Sequence, residues 1–314
     1  MPSLNSSSTL LPTLALGFAV AAWGASFVAA RHLLRTLDPL TLAAARFTLA
    51  SLFFAGPFVA SLVRRSIRGR DLLRMAFLGQ LAFSTYFWLQ YVGVQKTNAG
   101  VAAILVVGLF PSATALLAPL GGDPRPGARA WAGLLLGFFG VAAVTLAKSN
   151  GIEVGKGYLL GAVCLVANAF GFAIYSLLAR RWMKDVAPAT LTGGAMIFGA
   201  IGLLIFVAPS APDAWNSLVA LDRTQWAALG FLVLFCSVAG FHAWSFALSR
   251  MEASRAAVWI YAEPVVAMAL GHTLLGERYG VQALAGAAAI AASVFLVNQR
   301  TGDSYKSVKK GKDE

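Results

Sequence analysis

Ala99 to Leu120 reads AGVAAILVVGLFPSATALLAPL, with no charged side chain. As a helix rising 1.5 Å per residue, this run is about 33 Å long. That matches the hydrocarbon thickness of a bilayer, about 30 Å. No soluble fold needs such a stretch, and the rest of the chain repeats it.

Working outward in both directions, apolar runs recur at 10–30, 40–62, 75–94, 99–120, 130–147, 157–178, 191–208, 226–248, 256–275 and 281–297. The expected fold class is an all-α integral membrane protein with ten transmembrane helices. Composition agrees: 58% of residues are hydrophobic and 12% charged, against about 25% charged in soluble domains. Met1 to Thr9 carries no basic residue, so the first run reads as a helix and not as a signal peptide. The longest connection, 209–225, contains Trp215 and is expected along the interface.

The net charge of +12 does not indicate a nucleic-acid partner, because the basic residues sit in short loops and at the C-terminus. Ten spans put 17 Lys and Arg on the side of the termini and 7 on the other, with Arg46 inside a span. The positive-inside rule then predicts cytoplasmic termini in a multi-pass protein of the cell's inner (plasma) membrane. Cys164 and Cys236 lie within apolar runs and read as buried small hydrophobes. No metal site and no cofactor are expected.

The two halves resemble each other at an offset of 153 residues. Pro111 matches Pro264, Gly133 matches Gly286 and Tyr91 matches Trp244. Trp23-Gly24 matches Phe170-Gly171 at an offset of 147. The expected organisation is an N-terminal cytoplasmic tail (1–9), a first five-helix repeat (10–150), a second (151–298) and a basic cytoplasmic tail (299–314). Five crossings end on the side opposite their start, so the second copy must insert upside down. Two inverted five-helix repeats are the common plan of secondary transporters.

Particular residues carry a family resemblance. Trp23-Gly24-Ala25-Ser26-Phe27 in the first run is followed by Asp38-Pro39 and Arg46. Tyr261-Ala262-Glu263-Pro264 leads into Leu275-Gly276-Glu277. In the first half the last block is replaced by Gly121-Gly122-Asp123. Over roughly 10–297 the chain resembles the EamA family of the drug/metabolite transporter superfamily. The resemblance implies alternating access and, for most members, export of amino acids, other small metabolites or toxic organic cations. A nucleotide-sugar or lipid-type carrier of the same superfamily, and a receptor or accessory subunit, stay open as alternatives. No enzyme motif is present: there is no H-E-x-x-H, and 151–156 has the wrong spacing for a P-loop.

Charges within the bilayer mark function. Glu263 is predicted about 10 Å from one face and Arg46 about 9 Å from the other. Glu263 reads either as a cavity carboxylate that binds an amine or exchanges a proton, or as a structural partner of Arg46. Arg46 reads either as a site residue or as a packing anchor. Trp23, Tyr86, Trp88, Tyr175, Trp259 and Tyr261 are aromatic candidates for the solute site, with Asn168 and His242 as polar ones. Each reads alternatively as packing. Pro111 and Pro264 are candidate helix breaks that shape a cavity. Glu277 is expected to cap the last helix. The glycine stripe Gly133, Gly137 and Gly140 permits close helix packing, within the chain by default or in a homodimer as the sharper alternative. The expected partners are a small-molecule substrate and membrane lipid.

Overall fold

A computed structural model describes residues 7–97, 99–147, 156–210, 213–276 and 278–298. The two terminal tails, Glu277 and most of the 151–156 loop fall outside these. Among the described residues the chain is entirely helical. We label the long segments α1 (Ser7–Leu33), α2 (Pro39–Val63), α3 (69–96), α4 (99–121), α5 (Ala128–Leu146), α6 (Tyr158–Trp182), α7 (Pro188–Ser210), α8 (Arg223–Leu248), α9 (253–275) and α10 (Val281–Asn298). A short helix, Ala214–Val219, precedes α8 and leaves Trp215 exposed.

Eight of these segments are long and apolar enough to cross a membrane. The other two, α3 and α9, are of similar length but carry polar residues, among them Asp71, Arg74 and Gln90 in α3 and Arg255, Glu263 and His272 in α9. Large apolar side chains such as Leu73, Leu159, Val281 and Phe295 point outward. That is unfavourable in water and suits a lipid environment.

Local chemistry sets the boundaries. Asp38 caps α2, its carboxylate accepting from the Leu40 and Thr41 N–H groups at 3.0 Å. Asp222 and Gln225 form a reciprocal capping box at the start of α8. Gly122 and Gly276 end α4 and α9 in the left-handed conformation, with φ of 78° and 67°, which glycine adopts without steric cost.

Several helices are irregular in the middle. α3 contains a π-helical turn over Gln80–Thr85, and α8 contains one over Leu232–Ala239. In α4 a π turn, Ala103–Val107, directly precedes the segment holding Pro111. In α9 a 3₁₀ turn, Val258–Ala262, directly precedes Glu263-Pro264. A proline has no N–H for the carbonyl four residues back and its ring crowds that carbonyl. Those carbonyls, of Val107 and Ile260, lie within the irregular turns.

The packing registers are specific. α5 lies against α10 in antiparallel order. A Cβ on Gly133 would come within 2.7 Å of Val297, and one on Gly286 within 2.9 Å of Val144. α3 runs antiparallel to α6, with Tyr86 near Asn168 and Gly93 near Leu165 and Gly161. α1 runs antiparallel to α8, joined at Trp23–Cys236 and His32–Thr224. The turns α2–α3, α4–α5, α6–α7 and α8–α9 lie at one end, which carries Arg64, Arg65, Arg68, Arg70 and Arg74. We call it the basic end.

Candidate functional site

A cavity of about 380 Å³ lies between α1, α2, α3, α4, α6, α8 and α9. Its walls run from Trp23 to Leu34 on α1, Pro39 to Arg46 on α2, Tyr86 to Gln95 on α3 and Ala102 to Phe110 on α4. These are the C-terminal halves of α1 and α3 and the N-terminal parts of α2 and α4. The cavity therefore reaches from the middle of the molecule toward the end opposite the basic end.

Glu263 and Arg46 both line it. Glu263 is buried, 8% exposed, at the start of the regular part of α9. Its carboxylate has no hydrogen-bond or ion-pair partner among the described residues. Arg46 does not pair with it. The Arg46 guanidinium donates through Nε to Ser237 Oγ at 2.6 Å, and sits 5.0 Å from the centre of the Phe47 ring. Tyr86 lines the same cavity. Phe87, Phe110, Phe172 and Phe241 supply much of the rest of the lining.

The sequence explains how these groups are held. Gly24 lets α1 approach the Glu263 turn. A Cβ there would meet Val266 Cβ at 2.6 Å and the Glu263 carbonyl at 2.8 Å. Next to it, the Trp23 indole N–H donates to the Cys236 carbonyl at 2.8 Å. In the π turn of α8 the Gly240 N–H goes to the Phe235 carbonyl and not to that of Cys236. Ser237, which holds Arg46, is the next residue of the same turn. The π turn thus presents one carbonyl and one hydroxyl of the second half to two cavity residues of the first.

The remaining candidates lie elsewhere. Tyr175 is buried behind the cavity wall, stacked on Phe172 at 5.3 Å between ring centres. Asn168 is buried and donates to the Tyr86 carbonyl at 2.5 Å, so it supports a lining residue. Tyr261 is fully buried, its hydroxyl 3.1 Å from the Leu134 carbonyl and 3.3 Å from that of Gly108. Trp259 is half-buried and does not line the cavity. Trp88 is 39% exposed on the outer surface, against Phe206. Pro111 is buried in α4 one residue beyond the lining, and Pro264 adjoins Glu263.

His242 belongs to a second cavity of about 570 Å³ between α2, α7 and α8, where it stacks on Phe54. That cavity is larger, but among the described residues its polar side chains are only Thr190 and His242. The smaller one holds a carboxyl group and a guanidinium within an aromatic wall and is the candidate site. Sequence reading missed Ser237, and none of the three π turns leaves a signature in the hydrophobic pattern.

A polar, aromatic-walled cavity inside an apolar, multi-pass bundle suits the passage of a small solute through a membrane transporter. The model of the EamA-like transporter family matches residues 11–146 and 159–299, and the chain belongs to that family. It is 28% identical to an "uncharacterized transporter" of Archaeoglobus fulgidus, covering 90% of this chain and 96% of that protein. It is 29% identical to a "probable terminal-alkyne amino-acid exporter" of Streptantibioticus cattleyicolor, covering 91% and 93%. It is 28% identical to a "probable amino-acid metabolite efflux pump" of Salmonella typhimurium, covering 88% and 91%. A solved crystal structure shares the fold with a TM-score of 0.78 at 19% identity, covering 94% of this chain and 97% of its own.

Proposed function

We propose that this protein exports small amphipathic solutes, amino acids or organic cations, across the plasma membrane by alternating access between two inverted five-helix repeats. The observation that carries this reading is Glu263. It is a buried carboxylate, unpartnered among the described residues, on the wall of a cavity lined by aromatic rings. Such a group is costly in a membrane, and an amine or a proton from the cavity repays that cost. Aromatic rings favour the apolar body of the solute and interact with cations through their faces. Arg46, held at the same wall, is placed to meet a carboxylate.

All ten long helices cross the membrane in this reading, α3 and α9 being polar because they carry the site and its supports. The packing registers support inversion. Gly133 against Val297 and Gly286 against Val144 are the same pair with the halves exchanged. So are the antiparallel pairs α3–α6 and α8–α1, and the π turns of α3 and α8 stand 153 residues apart within one position. Antiparallel packing of α5 on its counterpart α10 is what a two-fold axis in the membrane plane produces. The arginine-rich basic end is cytoplasmic by the positive-inside rule. A phosphate-bearing solute would need more than Arg46, the one cation that lines the cavity among the described residues.

The test is flux in proteoliposomes with a panel of amino acids and organic cations, with and without a pH gradient. Saturable flux of at least one class is expected. Absence of flux for every member contradicts the proposal.

A further inference from the structure

The cavity reaches toward the end opposite the basic end, and at the basic end a charged cluster ties three segments together. Asp123 follows the left-handed Gly122 at the end of α4, and its side chain is 2% exposed. One carboxylate oxygen accepts from Arg180 of α6 in a short ion pair. The other accepts from the backbone N–H of Ala253, at the start of α9, at 2.8 Å. Arg180 also donates through Nε to the Met251 carbonyl at 2.7 Å. Two side chains thus tie the α4–α5 turn, the end of α6 and the α8–α9 turn together at the basic end.

The repeat shows what this closure replaces. At the mouth, Tyr91, Val94 and Gln95 of α3 line the cavity. Their counterparts in α8, 153 residues on, are Trp244, Ala247 and Leu248, all fully buried. Equivalent positions are open in one half and sealed in the other. The Trp244 indole N–H is moreover buried without a hydrogen-bond partner, an arrangement that is unfavourable and is relieved once water reaches it.

We propose that the Asp123–Arg180 pair, with its backbone contacts to Ala253 and Met251, is the lock that keeps the basic end shut, and that its release opens a path past Trp244, Ala247 and Leu248. Removing the Asp123 charge leaves the Arg180 guanidinium, 22% exposed, without its anionic partner, which favours the state in which water reaches it more fully. An equilibrium between two closures shifts by the difference in free energy between them. This inference rests on the alternating-access reading.

The experiment uses the full chain with Cys164→Ala and Cys236→Ser, carrying either Ala247→Cys or Gln95→Cys as reporter, labelled with a membrane-impermeant maleimide. Asp123→Asn is expected to raise the labelling rate of Ala247→Cys by about tenfold or more and to lower that of Gln95→Cys. Arg180→Lys keeps the charge but loses the forked geometry, and should give a smaller change in the same direction. Asp185→Asn, which breaks the more exposed Arg74 pair at the same end, should change neither rate. Monodisperse Asp123→Asn or Arg180→Lys protein with wild-type rates at both reporters overturns the lock. Labelling needs no solute, so a shifted ratio without any flux would retain the lock and sink the transport reading instead.

Discussion

Arg46 donates to Ser237 Oγ at 2.6 Å and not to Glu263, although both charges line one cavity. The tether crosses from the first half of the chain to the second and leaves the Glu263 carboxylate unpartnered among the described residues. A direct ion pair would have cancelled the two charges. The serine keeps them as separate features of one site.

Ser237→Ala removes that tether. A hydrogen bond to a charged group contributes about 1.5–3 kcal/mol, so the guanidinium loses a defined position. For a transported solute bearing a carboxylate, the half-saturating concentration should rise about tenfold or more. An organic cation without a carboxylate should be affected little. Flux measured for both solutes checks this, and equal effects on the two argue that Ser237 only supports packing.

Gly24→Val places methyl groups where α1 meets Val266 and the Glu263 carbonyl, with the first added carbon already at 2.6 Å. Overpacking of this kind costs about 1–3 kcal/mol. We expect a lower thermal midpoint in detergent and a larger loss of flux than Gly17→Val produces, since a Cβ at Gly17 meets nothing within 4 Å.

Outside the membrane, Asp222 offers a pH test. The Thr224 hydroxyl and the Gln225 N–H hold its carboxyl below the ordinary value of 3.8. A depressed folded-state value means the contribution is fully present above that ordinary value and is lost as pH falls through the lower, folded one. Asp222→Asn keeps a capping side chain but does not titrate. The stability difference between wild type and Asp222→Asn should be constant near neutrality and should change only below about pH 4. A difference that stays unchanged as pH falls well below about 4 contradicts this account.

Much of the architecture was legible because bilayer physics writes it in long apolar runs. The 99–120 run, the prolines at 111 and 264 and the buried Glu263 all come from that one-dimensional record. The site was legible in part. Glu263, Arg46, Trp23 and Tyr86 converge on the cavity, whereas Trp88 faces outward and Tyr261 is spent on the Leu134 and Gly108 carbonyls. Periodicity cannot separate those outcomes, because an aromatic residue fits lipid, core and cavity equally well. The π turns were invisible for a related reason. They depend on partners far away in sequence, such as the Trp23 indole that donates to the Cys236 carbonyl. The Asp123–Arg180 pair was hidden likewise, since its members are 57 residues apart and each resembles an ordinary loop charge. The expectation for Glu277 lies outside the described residues.

Glu263 is the centre of the account, and Glu263→Gln in proteoliposomes tests it most directly. The measurement is flux of an amine-bearing solute that the wild type carries, with and without an imposed pH gradient. Flux should fall at least about a hundredfold, the loss expected when a buried charge-assisted contact of about 3 kcal/mol is removed, and any residual flux should ignore the gradient. A folded Glu263→Gln protein with wild-type rate and wild-type pH dependence contradicts the account.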